Sequence, residues 1–145
     1  MKNGILLSII SIVVLVFVLL RFGGERRVKG IRWVRGLMIV ALIPLGLQAI
    51  VLALFGFGEM ASGDLSGAGH LVPLAATLSL AFLAWRRPIE GGVALLIVGL
   101  ATVAEFYDAT ARTIMAAPQL LSGGLFLGAG LGAWVISRRR QDRTN

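Results

Sequence analysis

Gln48, His70 and Glu105 are polar side chains set deep inside long apolar stretches, and Asp108, Arg112 and Gln119 follow closely behind Glu105. If the stretches are helices that share one boundary, Gln48 lies 14 residues from Val34, Glu105 lies 14 from Gly91, and His70 lies 15 from Trp85. At ~1.5 Å per residue, all three reach a depth of about 21 to 22 Å. A carboxamide, an imidazole and a carboxylate at one depth, with Asp108 and Arg112 just beyond, form a polar layer. Ionisable groups at such a depth suggest a ligand or proton site: a protonatable pair, a one-histidine metal contact, or the mouth of a cavity. The ordinary alternative has Glu105 near water, Asp108 paired with Arg112 one turn on, and Gln48 bonded to a neighbouring backbone.

A second pattern is Gly124-x-x-x-Gly128-x-x-x-Gly132, with Ser122, Ala129 and Ala133 nearby. Glycines four apart share a helix face and let another backbone approach closely. The stripe is expected to pack helices, either against a second protein or inside the chain's own bundle. Gly99, beside Leu100 and Ala101, is a candidate internal counterface.

Other chemistries are excluded by what the chain does not contain. It has no cysteine and a single histidine, which rules out disulfides, thiolate metal sites, a cysteine nucleophile and a multi-histidine centre. No nucleophile elbow, zincin motif or phosphate loop is present. No enzymatic activity, metal or cofactor is expected.

The elements that carry these residues are apolar and long. The chain is 145 residues, 57% hydrophobic and only 14% charged, with a mean hydropathy of +0.89. Soluble domains carry about 25% charged residues, so the composition indicates a membrane protein. An all-α bundle of five transmembrane helices is predicted, over about 4–22, 34–57, 66–86, 91–109 and 113–137, as a single integral membrane domain. Ile5 to Leu20 lacks a small-x-small cleavage site and reads as a retained helix, not a signal peptide. Two variants remain open: a first helix peripheral to a four-helix core over 32–137, and a short re-entrant third segment. For the third helix, a start at Val72 would span only about 20 Å, whereas a start near Ser66, capped by Asp64 or Ser66, gives a full span with Pro73 inside. The charged knot Trp85-Arg86-Arg87-Pro88-Ile89-Glu90-Gly91-Gly92 is predicted as a tight turn at the membrane surface.

Twelve of the fourteen lysines and arginines then fall on one side, six between Arg21 and Arg35, two in the knot and four from Arg138 to Arg143; Lys2 and Arg112 fall on the other. The positive-inside rule places the N-terminus outside and the C-terminus in the cytoplasm of a cell (inner) membrane. Trp33, Trp85 and Trp134 all come to the cytoplasmic boundary, where indoles are enriched. A net charge of +7 concentrated at span ends argues against nucleic acid as a partner. The basic segments could also hold anionic lipid, although setting topology is role enough.

Arg32-x-x-Arg35 opens one predicted helix, Trp85-Arg86 closes another, and Glu90-Gly91-Gly92 opens the next. Pro118 precedes a Gly-rich helix bearing Phe126 and Trp134. In these features residues 32–137 resemble an uncharacterised family of small prokaryotic membrane proteins built on four helices, a domain of unknown function. The resemblance implies a four-helix membrane core and brings no activity. The expected function is a non-catalytic small subunit or scaffold acting through helix packing, with the bilayer and a homo-oligomer or larger membrane complex as partners. The competing expectation is a small transporter, channel or sensor using the polar layer.

Overall fold

The computed structural model describes residues 32–142. They form helices α1 (Arg32–Ala61), α2 (Ala68–Arg86), α3 (Pro88–Glu105) and α4 (Ala109–Gln141), with a 3₁₀ turn, Leu65–Gly67, leading into α2. The described residues contain no strand. All four helices are long and apolar enough to cross a membrane. Five such helices were expected; the one over about 4–22 lies outside the described residues. α1 and α4 run beyond their expected bounds at both ends, α2 starts at Ala68 and not near Ser66, and α3 is shifted, starting three residues before Gly91 and ending four before Ala109.

Three corners set the topology. Between α1 and α2, Gly63 adopts a left-handed φ of 89°, and Asp64 N–H donates back to the Glu59 carbonyl at 3.0 Å. The Asp64 carboxylate accepts from the Ser66 amide at 2.8 Å. That bond holds its carboxyl below the usual aspartate range. Pro73 does lie inside α2, as the full-length reading of that segment required.

The α2/α3 corner is a single residue, Arg87, whose φ of −139° and ψ of 82° lie outside the helical region, as the position before a proline favours. Pro88 occupies the first turn of α3, where its missing N–H costs nothing, and Glu90 complements the helix dipole there. The knot is thus a tight turn, but Gly91 and Gly92 belong to α3 itself. At the α3/α4 corner, Asp108 accepts from the Ala111 amide at 2.7 Å and so starts α4. This cap begins the helix four residues before the expected Thr113.

The helices alternate in direction, each packing on its sequence neighbour, with α4 closing against α1. Phe126, Leu95, Leu45 and Val34 fill the centre and are fully or almost fully buried. α3 and α4 approach each other closely along their backbones. A Cβ on Gly92 would lie 2.7 Å from the Leu127 nitrogen, and one on Gly123 would lie 2.9 Å from the Gly92 oxygen. Only glycine at both positions lets these two backbones touch.

Candidate functional site

The polar groups inside the bundle are neutral. Among the described residues, Gln48, Thr77, Thr102, Gln119 and Ser122 are the buried polar side chains, and none carries a charge. Gln48 stands on the inner face of α1 with Ala41, Leu45 and Leu52, at the three- and four-residue spacing that keeps side chains on one side of a helix. It is only 4% exposed. Its Nε2 donates to the Met115 carbonyl on α4 at 2.9 Å and lies 3.9 Å from the Met115 sulfur. The carbonyl can only accept, so the carboxamide must present nitrogen to it, which fixes the orientation of the group. Its other end, Oε1, is buried with no partner.

The Met115 carbonyl lies one turn before Pro118, inside α4. Proline has no N–H to give to the Ile114 carbonyl four residues earlier, the neighbour of Met115 in the same turn. Pro44 sits one turn before Gln48 on α1. Where the two proline-bearing turns face each other they leave a groove of about 290 Å³, lined among others by Pro44, Gln48, Val51, Ile114, Pro118 and Leu121.

A second polar contact crosses the α3/α4 interface. The Thr102 hydroxyl donates to the Val98 carbonyl at 2.8 Å and stands 3.4 Å from Gln119 Oε1. Ser122, one turn further along α4, is 0% exposed, and its hydroxyl has no partner. Met115, Gln119 and Ser122 share one face of α4, so the helix carries a polar seam down the interior.

The ionisable residues of the expected layer do not converge. His70 lies 3.6 Å from Glu59, with its ring 6.0 Å from that of Phe55. Glu59 is 11 residues beyond Gln48 on α1, or about 16 Å along the axis. Counting residues from a common boundary failed for α2 because packing, not a shared starting level, sets how it is offset along α1. Glu105 is half-buried at the end of α3. Asp108 and Arg112 do not form the expected pair. Asp108 caps α4, and Arg112 Nε donates to the Phe106 carbonyl at 2.9 Å. Of the expected layer, Gln48 alone is buried, bonded to a neighbouring backbone as the ordinary alternative had it.

The glycine stripe divides differently from expectation. Gly124 and Gly128 are exposed and have nothing within 4 Å of where a Cβ would stand. Among the described residues they therefore pack against nothing inside the bundle. Gly132 packs under Trp33, whose ring would lie 2.5 Å from a Cβ there. The internal contacts are made one or two residues away by Gly123, against Gly92 and Leu96, and by Gly130, against Ile89. Gly99 faces Leu120 and Gln119 and is no counterface to the stripe.

Sequence reasoning missed Thr77 and Thr102 as buried polar groups and noted Ser122 only as a small neighbour of the glycines. The available signal was position: Ser122 adjoins Gly123, and Thr102 follows Gly99 by three residues, on faces where only small side chains fit.

Residues 24–143 match DUF7670, a domain of unknown function. Neither the curated proteins nor the solved structures contain a match to the chain.

Proposed function

The chain belongs to DUF7670, a domain of unknown function covering residues 24–143, and from its bundle geometry we propose that it is a non-catalytic integral membrane subunit acting through helix packing. The observation that carries this reading is the open face of α4. Among the described residues nothing lies against the outward-pointing Gly124 and Gly128, and Leu121 and Leu131 flank them, both exposed. A glycine face of this kind lets a second helix approach closely, in a setting where apolar burial alone gives little drive because lipid is equally apolar. The partner is a second copy of the chain or another membrane protein, not nucleic acid.

The reading places the bundle in a cell (inner) membrane. The start of α1, the α2/α3 corner and the end of α4 lie at one end of the bundle and carry Arg32, Arg35, Arg86, Arg87, Arg138 and Arg139. That end is the cytoplasmic one under the positive-inside rule. There the Arg138 guanidinium sits 4.1 Å over the Trp134 ring and Arg86 sits 4.8 Å over Phe82, an arrangement suited to an interface that is apolar on one side and wet on the other. An N-terminus on the outer side then requires the stretch over about 4–22, outside the described residues, to cross the membrane as well. The transporter, channel or sensor reading is weaker, because Gln48, His70 and Glu105 do not form one constellation.

Two experiments test the proposal. In the absence of native cysteine, single cysteines at Ser62 and Ala111 should react with an impermeant thiol reagent in whole cells, and one at Thr144 should not; the reverse pattern inverts the topology. Gly128→Ile should lower the yield of the oligomer or complex several-fold in gentle detergent while leaving the melting temperature of the separated chain unchanged, with Val135→Ile as a silent control. An unaltered assembly profile in Gly128→Ile would mean that this face meets only lipid.

A further inference from the structure

We propose that the arginine-bearing end of the bundle is a contact surface for anionic phospholipid, with Arg32 and Arg35 on α1 and Arg138 and Arg139 on α4 holding the headgroup phosphate. The inference rests on the bilayer placement argued above, but not on assembly through Gly124 and Gly128.

Orientation in a membrane needs basic residues of either kind, since lysine and arginine count alike toward it. Among the described residues every such group is an arginine and none is a lysine. A guanidinium differs from an ammonium in presenting a planar fork of N–H donors that matches two phosphate oxygens at once. Arg32, Arg35, Arg138 and Arg139 are all exposed, and among the described residues no carboxylate pairs with any of them. The acidic side chains described at this end are Glu90, in the first turn of α3, and Asp142, just after α4. The arginines outnumber them, so the surface has charge to offer an anion.

The guanidinium groups are held at the depth of a headgroup. In α2 and α4, which both run toward this end, each Cα–Cβ bond tilts back toward the bundle. Arg138 accordingly lies over the Trp134 ring, 4.1 Å from its centre, and Arg86 lies over Phe82 at 4.8 Å. Each ring belongs to a residue one turn deeper than the arginine that covers it. Trp33 packs on Gly132, which sets the start of α1 level with that part of α4. Trp134 is two residues beyond Gly132, about 3 Å along the axis, so the Arg138 guanidinium comes within about one helical turn of Arg32 and Arg35 in depth.

Deeper than each arginine pair runs an exposed apolar stripe. Ile39 and Ile43 follow Arg35 down α1 in four-residue steps, and both are exposed. On α4, Trp134 and Leu131 stand four and seven residues before Arg138 and are exposed as well. Phosphate at the rim and hydrocarbon beneath it is the shape of a phospholipid. A soluble phosphate or an acidic peptide would use the arginines and leave the stripes unmatched.

The chain's three tryptophans, Trp33, Trp85 and Trp134, all stand at this end and report on the lipid beside it. The test reconstitutes the full chain in vesicles of phosphatidylglycerol and phosphatidylcholine in equal parts, with bromine on the acyl chains of one lipid or the other. Tryptophan quenching should give phosphatidylglycerol about a fivefold higher relative binding constant, the preference expected of one arginine near an anionic headgroup. The preference should vanish in the variant carrying Arg32→Gln, Arg35→Gln, Arg138→Gln and Arg139→Gln together. Should that variant fail to fold, the α1 pair and the α4 pair substituted separately should each lower it. Equal quenching by both lipids in the wild type, or a preference that survives these substitutions, overturns the assignment. So does loss of the preference on adding inorganic phosphate or polyglutamate at matched ionic strength, which would make a soluble anion or an acidic protein segment the partner. Tryptophans quenched by neither lipid would remove the bilayer placement itself, and this inference with it.

Discussion

A Gly92→Val chain should melt on the order of 10 °C or more below wild type, while Gly124→Val should be indistinguishable from wild type in the stability of the isolated chain. Both residues are glycines on apolar helices, and nothing in their local sequence separates them so sharply. The difference lies in what faces them. At Gly92 the first added carbon meets the Leu127 nitrogen at 2.7 Å and the Gly123 oxygen at 2.9 Å, both backbone atoms. Backbone cannot swing aside as a side chain can, so α3 and α4 must separate. That separation strips packing from the α3/α4 seam. Overpacking of this kind costs about 3 kcal/mol, enough to lower a melting temperature by on the order of 10 °C or more in a chain of this size. At Gly124 the same substitution meets open space, and such sites usually change stability by less than about 0.5 kcal/mol. Melting curves of the two variants beside wild type, read by loss of the monodisperse peak after heating, provide the measurement. Equal behaviour of Gly92→Val and Gly124→Val would mean that the α3/α4 contact is not the close one described.

The same pair of glycines shows how far the sequence could be read. Long apolar stretches bounded by arginine and tryptophan made the all-helical character, with helices long and apolar enough to cross a membrane, legible, because length and composition are properties of the stretch alone. Corners were harder. Arg87 closes α2 and Pro88 opens α3 with no loop between them, whereas the sequence suggested that the helix begins only at Gly91. Which face of α4 points inward depends on a rotation of about 100° per residue, and the spacing Gly124, Gly128, Gly132 is nearly matched by Gly123 and Gly130. Tertiary contact alone separates the two sets: Gly123 meets Gly92 and Leu96, while Gly128 meets nothing. The polar layer failed for a similar reason. Depth counted along each helix placed His70 beside Gln48, but the axial offset of α2 on α1 puts it beside Glu59 instead. That offset depends on how side chains mesh. Gln48 was the part of the site that the sequence did disclose, since a carboxamide in an apolar run must find a partner. That its partner would be a carbonyl near Pro118, and that its oxygen would be left over, required the coordinates.

Phe126→Ala should destabilise the bundle by about 2 kcal/mol, less than the roughly 3 to 5 kcal/mol that a buried phenylalanine truncation costs in a water-soluble protein. Phe126 is the largest fully buried side chain, 0% exposed, in the central cluster with Leu45, Leu80 and Leu95. In water, its truncation would cost two things: the transfer of a ring that the unfolded chain exposes to solvent, and the cavity left behind. In a bilayer the separated helices still hold Phe126 in hydrocarbon, so the first contribution largely vanishes and lost contact with the neighbours remains. The size of the effect therefore reports on the surroundings of the unfolded state as well as on packing. Leu100→Ala is the matched control. Leu100 is 62% exposed on the outside of α3, and in lipid its truncation should change stability by less than about 0.5 kcal/mol. Unfolding titrations of wild type, Phe126→Ala and Leu100→Ala in mixed micelles, with increasing fractions of a denaturing detergent, give the two differences. A Phe126→Ala cost at or above 4 kcal/mol would place the separated helices in water and count against the bilayer reading. A cost near zero would remove Phe126 from the core.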